Sequence, residues 1–185
     1  MSRVSELVDA YVAELGLPWR SGLSGGERVW MLVYPPDMER SILAALPRLE
    51  LATDQGGHGW NVIDITDELG AWIAAHRYAE AFFEEPTDFT SAIVDKFEVE
   101  LVAKIRQHLA AAPENDVVTL VGIGSTFPFL RASSVIKAID DKISGRLLVL
   151  FPGLHDPGTH SFRLLDARDG FNYRARVIDP QKDIA

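Results

Sequence analysis

The chain contains no cysteine, and this absence removes two kinds of site at once. Without thiols there are neither disulfide bonds nor thiolate-bound metals, which suits a reducing compartment, so we expect a cytoplasmic protein. No apolar run approaches the roughly 20 residues that a membrane-spanning helix needs. Residues 1–6 also lack the charged-then-apolar layout of a signal peptide, and we therefore expect no export.

Basic residues are scarce relative to acidic ones. The sequence has 18 Lys and Arg against 27 Asp and Glu, which gives a formal net charge of −9. Because an acidic surface repels the nucleic-acid backbone, binding to DNA or RNA is restricted to a local basic patch.

Phosphate-binding motifs are missing as well. The glycine-rich stretch Ser21–Glu27 has no lysine at the position a P-loop demands, and no Gly-Lys-Ser or Gly-Lys-Thr occurs in the chain. Gly122 and Gly124 lack the third glycine of a dinucleotide-binding fingerprint. We therefore predict no cofactor and no measurable binding of ATP or NAD.

The sequence does contain the alternation of apolar strands and amphipathic helices that is typical of an α/β domain. Its 185 residues fit one domain, with an N-terminal helix at about residues 3–16 and a core at about 28–178. Strands are expected near residues 29, 61, 117, 146 and 173, with helices between them. The predicted fold is a single-domain three-layer sandwich with a mostly parallel central sheet of about five strands. Its layout is Rossmann-like or P-loop-like, without a Walker motif.

The clearest pattern lies between Asp116 and Asp156. An apolar run at 117–121 is followed by a turn at Gly122 and Gly124, and then by helically spaced apolar residues from Ala132 onward. A second apolar run, 147–151, ends at Pro152-Gly153. This is a βαβ unit, and its two strands should be parallel neighbours or near neighbours.

The same region resembles the BrxB family, a small component of BREX bacteriophage-exclusion systems. The resemblance rests on the segments Gly122-Ile-Gly-Ser-Thr-Phe-Pro-Phe-Leu-Arg131, Leu150-Phe-Pro-Gly153 and Asn172-Tyr-Arg-Ala-Arg-Val177. The chain departs from the family pattern at three places, because Phe127 and His155 stand where the family usually has tyrosine and Phe171-Asn172-Tyr173 replaces a closing aromatic pair. Within this resemblance, the motif residues Phe127, Pro128, Pro152 and Gly153 become candidates for an interaction surface.

Ligands of parallel α/β sheets collect at the carboxyl ends of the strands. Here that edge should carry residues 34–37, 65–67, 122–126 and 152–156. A metal site there would use His155 with Asp156, Asp37 or Asp67, although acids at turns more often serve as caps or Asx-turns. A hydrolytic site would use Ser125 with His155 as its base, although Ser125 also suits a helix N-cap.

Arg131 follows the apolar segment Phe127-Pro-Phe-Leu near the start of a helix, where the helix dipole disfavours a cation. We expect its stem to be buried and its head group to need a partner. Asp156 or Asp140 within the chain is one choice, and an acid on another protein is the other. A buried pair predicts a loss of about 2–4 kcal/mol in Arg131→Ala.

Four arginines near the C-terminus, Arg163, Arg168, Arg174 and Arg176, form the only basic cluster. Residues 173–178 alternate in polarity as an edge strand does, beginning at Tyr173, with Arg174 and Arg176 opposite Ala175 and Val177. Such arginines form either a solvated face that prevents aggregation or a docking patch for an acidic partner or nucleic acid.

No complete catalytic set is found, so we interpret the chain as a binding protein and not an enzyme. The BrxB resemblance implies a non-catalytic accessory role in anti-phage defence, through contact with another BREX component, a PglZ-like phosphatase-fold protein being the first candidate. Two alternatives remain open. One is a nucleotide-responsive or hydrolytic enzyme that uses the turn Gly122–Thr126, and the other is a nucleic-acid-binding module that uses the arginine cluster.

Overall fold

The computed structural model describes residues 2–85, 89–159, 161–164, 167–169 and 174–179. In these ranges eight strands lie in two sheets: β1 Val29–Tyr34, β2 Gly59–Asp64, β3 Asp116–Val121, β4 Arg146–Pro152, β5 Leu154–Asp156, β6 Ser161–Leu164, β7 Ala167–Asp169 and β8 Arg176–Ile178. The same ranges contain seven α-helices: α1 Arg3–Leu15, α2 Glu39–Ala44, α3 Leu46–Gln55, α4 Glu68–Ala75, α5 Ala79–Glu84, α6 Ser91–Ala111 and α7 Ala132–Ile139.

The central sheet has the order β2-β3-β4-β1-β8, and all of its neighbouring strands are parallel. Its middle strands are apolar because both of their faces are covered. In β1, Val29, Met31 and Val33 belong to one core cluster, whereas Trp30, Leu32 and Tyr34 belong to another on the opposite face. The predicted three-layer α/β fold with a five-stranded parallel sheet is confirmed.

Helices divide between the two faces of the sheet. Apolar residues of α6 and α7 join the first cluster, and those of α1 and α3 join the second. The α1 helix ends at Leu15 with Gly16 as its C-cap, as predicted. Tyr11 of α1 hydrogen bonds across to Thr53 of α3 at 2.6 Å, and the Thr53 hydroxyl itself donates to the Leu49 carbonyl oxygen. The Tyr11 hydroxyl is therefore the donor in this buried link.

The βαβ unit forms as the sequence predicts. Strands β3 and β4 are adjacent and parallel, with Val118 beside Leu147. The α7 helix between them buries the predicted apolar stripe of Ala132, Val135, Ile136 and Ile139. Pro47 lies in the first turn of α3, where its missing N–H costs nothing, and Ala45 separates α3 from α2.

A second, antiparallel sheet of order β5-β6-β7 follows β4. The sequence predicted a loop after Asp156 and left the apolar residues 162–165 unassigned. Residues 161–164 instead form β6, and the Phe162 and Leu164 side chains extend the first core cluster. Among the helices of the described ranges, none has the length and apolarity needed to cross a membrane.

Candidate functional site

A shallow pocket of about 320 Å³ lies at the carboxyl edge of the central sheet, where the sequence predicted that ligands would collect. Residues that follow β1, β2, β3 and β4 all contribute to its wall. The lining is mainly apolar: Pro36, Glu39, Leu43, Thr66, Gly122, Gly124, Ser125, Pro152 and Leu164. A ligand of this pocket would therefore be recognised mainly by its shape, because few charged side chains line the wall.

Gly122 and Gly124 allow the loops around this turn to approach each other closely. Gly122 has φ of +88°, and a Cβ there would lie 2.5 Å from the Thr66 nitrogen. A Cβ on Gly124 would lie 2.8 Å from Pro152 Cγ. The predicted turn is confirmed, and its glycines bring the loops after β2, β3 and β4 together.

Ser125 does not cap a helix. Its hydroxyl donates to the Gly122 carbonyl oxygen at 2.8 Å and to that of Ile65 at 3.3 Å, so it braces the turn after β3. Residues 123–126 form a single 3-10 turn, and α7 begins later with Arg131 at its N-cap position. The N-cap interpretation of Ser125 was wrong because the chain makes this extra turn before the helix.

His155 lies away from Ser125. It is on β5, where its ring packs against Phe162 at 4.9 Å between centroids, and it lines a different cavity from the one that Ser125 lines. The serine–histidine pair of the hydrolytic alternative is therefore not assembled in this structure.

Asp156 forms an Asx-turn. Its carboxylate accepts from the Gly158 backbone nitrogen at 2.9 Å and from the Thr159 hydroxyl at 2.8 Å. Within the described ranges, no group of three or more His, Asp or Glu side chains is arranged to hold a metal ion. Asp37 and Asp67 are the other two aspartates that the metal interpretation would combine with His155. Both lie at turns, as Asp156 does.

The segment Phe127-Pro128 is joined by a cis peptide bond. Phe127 is partly buried against the first core cluster, whereas Pro128 is exposed. Phe129 is 42% exposed, and its ring meets the edge of Phe89 at 4.9 Å between centroids. This motif therefore packs the Phe127 ring against the core and leaves the Phe129 ring partly exposed to solvent.

Arg131 is exposed, and it makes no ion pair or side-chain hydrogen bond with any described residue. The predicted burial of its stem and the predicted pairing with Asp156 or Asp140 were wrong. An acid on another protein, the other predicted partner, stays a prediction. The apolar residues before Arg131 are divided, because Leu130 enters the core while Phe129 and Pro128 face solvent. Arg131, the next residue, therefore extends from the surface into solvent.

The basic cluster is divided between the two sheets. Arg163 is exposed on β6, where it pairs in register with Leu154 and Arg168. Arg174 is exposed just before β8, and Arg176 Nε donates to Glu14 Oε2 of α1 at 2.9 Å. Strand β8 is an edge strand beside β1, as predicted. The prediction for Tyr173 lies outside the described residues.

Sequence reasoning missed a cavity of about 770 Å³, larger than the pocket at the carboxyl edge, which lies toward the amino ends of β1, β4 and β8. We call it the amino-edge cavity and define it by Trp19, Trp30, Arg146, Arg174 and Arg176, which all line it. A signal was present, since Arg146 directly precedes an apolar run that the sequence assigned to a buried strand. Burial of a charged residue at such a place marks a site that needs an explanation.

Comparison with known proteins gives one informative match. The family model of BREX protein BrxB matches residues 62–178, from the second half of β2 to the end of β8. Neither the curated proteins nor the solved structures contain a significant match. Since the family model covers more than half of the sequence, the chain belongs to the BrxB family of BREX proteins.

Proposed function

We propose that this chain is a non-catalytic accessory subunit of a BREX anti-phage system that acts in the cytoplasm by binding another protein of the system. Its place in the BrxB family makes it a BREX component. A PglZ-like phosphatase-fold protein is the first candidate partner.

The observation that carries this proposal is the open edge of β8. This strand pairs with β1 on one side, and no described strand pairs with its other side. The free backbone groups of such an edge can bind an extended segment of another protein by strand addition. An arginine beside the edge would orient an acidic segment, while the net charge of −9 disfavours acidic contacts elsewhere on the surface.

The two arginines beside this edge differ in what they offer a partner. Arg176 is already bound to Glu14, so its reversal would also break a contact between α1 and β8. Arg174 makes no ion pair with a described residue and is exposed. Reversing the charge of Arg174 therefore breaks no ion pair within the described ranges, although it removes a weak attraction to Glu27.

The test compares three charge reversals of the full chain, expressed with the other components of its system. Arg174→Glu should abolish co-purification and phage resistance while leaving the melting temperature nearly unchanged. Arg48→Glu, an equal charge change at an exposed position of α3, should retain both activities. Co-purification of Arg174→Glu at physiological salt would contradict the β8 surface, and loss of binding in Arg131→Glu would move the interface to the loop 122–131.

Of the alternatives, the nucleic-acid-binding module draws less support. The arginines that would form its surface are divided between two sheets, and one of them is paired with Glu14. The enzyme alternative keeps the pocket at the carboxyl edge, with the turn Gly122–Thr126 in its wall.

A further inference from the structure

The amino-edge cavity is built from parts of the chain that are distant in sequence. The segment after α1 provides Trp19, β1 provides Trp30 and β4 provides Arg146. Residues 174–177 close another side. Its volume of about 770 Å³ is within the range of small-molecule sites.

Arg146 is the unusual residue in this cavity. It is only 6% exposed, and its one hydrogen bond to a described residue runs from Nη1 to the Gly145 carbonyl oxygen at 3.0 Å. No carboxylate of a described residue lies within ion-pair distance of it. The guanidinium has five N–H donors, so most of its hydrogen-bonding capacity is unused within the described part of the chain.

Nearby carboxylates are already occupied. Glu14 accepts from Arg176, and Glu27 accepts from the Ser24 nitrogen at 2.9 Å and hydroxyl at 2.7 Å. Four arginines and these two glutamates line the cavity, which is an excess of positive charge in an acidic chain. Burial lowers the pKa of Arg146 from its ordinary value, and the charge of Arg28 lowers it further, although the charge of Glu14 opposes this shift.

Trp19 supplies a second donor without an acceptor. Its indole Nε1 is buried and makes no hydrogen bond with any residue of the described ranges. One ring neighbour is His58, stacked at 3.9 Å between centroids with 6° between the planes, and the Arg146 guanidinium carbon lies 4.5 Å from the ring centroid. The Trp19 ring is therefore held in place by His58 and by the Arg146 guanidinium.

We infer that the amino-edge cavity binds the oxyanion group of a small molecule, a carboxylate or a phosphate, which accepts hydrogen bonds from the Arg146 guanidinium beside the Trp19 ring. Oxyanions are acceptors only, and the planar fork of a guanidinium matches their geometry. A bound anion would accept hydrogen bonds from the unused N–H groups of Arg146 and neutralise its buried charge. This site is distinct from the pocket at the carboxyl edge and does not depend on a protein partner.

A purely structural explanation makes a different prediction. Arg146 also lies 5.8 Å from the Trp30 ring centroid, so cation–π contacts with two tryptophans could hold it without any ligand. In that case added anions would act only through ionic strength, and they would not affect the Trp19 indole specifically.

The experiment follows the indole N–H signals of the full-length protein by two-dimensional ¹⁵N–¹H NMR. The chain has four tryptophans, and the signal lost in Trp19→Phe identifies Trp19. Inorganic phosphate and citrate are titrated separately at constant ionic strength, with sodium chloride as the reference salt. We expect a saturable shift of the Trp19 signal with at least one probe, and the tighter-binding probe shows whether a phosphate or a carboxylate is preferred.

Variants then test the assignment of the site. Arg146→Gln should weaken binding by about tenfold or more, because it removes a charge-assisted hydrogen bond. Arg48→Gln, an exposed control outside the cavity, should leave binding unchanged. If Arg146→Gln does not fold, Arg146→Lys keeps the charge and removes the fork, and it too should weaken binding. The inference is overturned if neither probe gives a saturable Trp19 shift, or if the folded Arg146 variants bind as the wild type does.

Discussion

At the scale of single residues, two glycines share a left-handed backbone conformation but differ in their surroundings. Gly122 has φ of +88° and faces Thr66, whereas Gly22 has φ of +77° and no atom within 4 Å of the place where a Cβ would stand. Gly22→Ala should cost about 1–2 kcal/mol, the conformational penalty alone. Gly122→Ala should cost about 1–3 kcal/mol more, because the methyl group forces the loop of Thr66 to move. Equal losses in urea denaturation would contradict this close approach.

Arg131 and Arg28 form a second contrast between similar residues. Since Arg131 is exposed and unpaired among the described residues, Arg131→Ala should change stability by no more than about 0.5 kcal/mol. Arg28 donates to the carbonyl oxygens of Leu23, Ile143 and Ser144, so Arg28→Ala should cost about 1–3 kcal/mol. Denaturation midpoints measure both. A large loss in Arg131→Ala would restore the buried-pair hypothesis.

These cases show which residue properties could be predicted from sequence. The need for glycine at position 122 follows from a turn directly after a buried strand, which is local information. The surroundings of Arg131 are not local, because they depend on which residues of the preceding segment pack against the core. Phe127 and Leu130 were predicted to bury the arginine stem, yet they enter the core while Arg131 does not.

At the scale of elements, α6 is tied to the segment after α7 by one arginine. Arg106 of α6 donates through Nη2 to Asp141 Oδ2 at 2.9 Å and through Nη1 to the Ala138 carbonyl oxygen at 2.7 Å. The hydrogen bond from Arg106 lowers the pKa of Asp141. Both side chains remain accessible to solvent, so the link is screened by salt.

This link predicts a pH dependence of stability. A carboxyl group with a lowered folded-state pKa stabilises the fold above its ordinary pKa, about 3.9 for aspartate, and this stabilisation is lost as the pH falls through the lower folded-state value. Asp141→Asn should therefore be less stable than wild type at neutral pH, with the difference disappearing in acid. Asp9→Asn, at an exposed position of α1, is the control. A difference that persists in strong acid, below the folded-state pKa, would show that Asp141 acts through something other than its charge.

Elements also differ in how much of them the sequence could predict. Strand β1 is six buried residues in a row and was predicted with its observed bounds. Strand β5 has three residues, too few for any periodicity, and it exists because β6 pairs with it. Short antiparallel strands of this kind depend on pairing between segments, which a single pass along the sequence does not provide.

At the scale of the whole molecule, the cavities at the carboxyl ends and at the amino ends of the parallel strands differ in charge. The carboxyl edge was predicted from the general rule for α/β sheets, and the pocket there is nearly uncharged. The amino-edge cavity was not predicted, because Trp19, Arg146 and Arg176 meet only through the strand order that places β1 between β4 and β8. That order does not follow from the pattern of apolar and polar residues along the chain.

The carboxyl edge leads to a prediction about nucleotides. The turn Gly122–Thr126 lacks the lysine and the third glycine that hold phosphates, so ATP and NAD should show no measurable binding in calorimetry. Micromolar binding that Gly124→Val abolishes would contradict this expectation. The valine side chain would enter the pocket beside Pro152, so loss of binding in this variant would place the nucleotide there.

The position of β1 in the sheet has a consequence for synthesis on the ribosome. Val29 pairs with Leu147 and Trp30 pairs with Arg176, so both neighbours of this early strand belong to the last quarter of the chain. The apolar segment Val-Trp-Met-Leu-Val-Tyr therefore emerges long before any strand can cover it. Until then it is a candidate for chaperone binding and for aggregation between nascent chains.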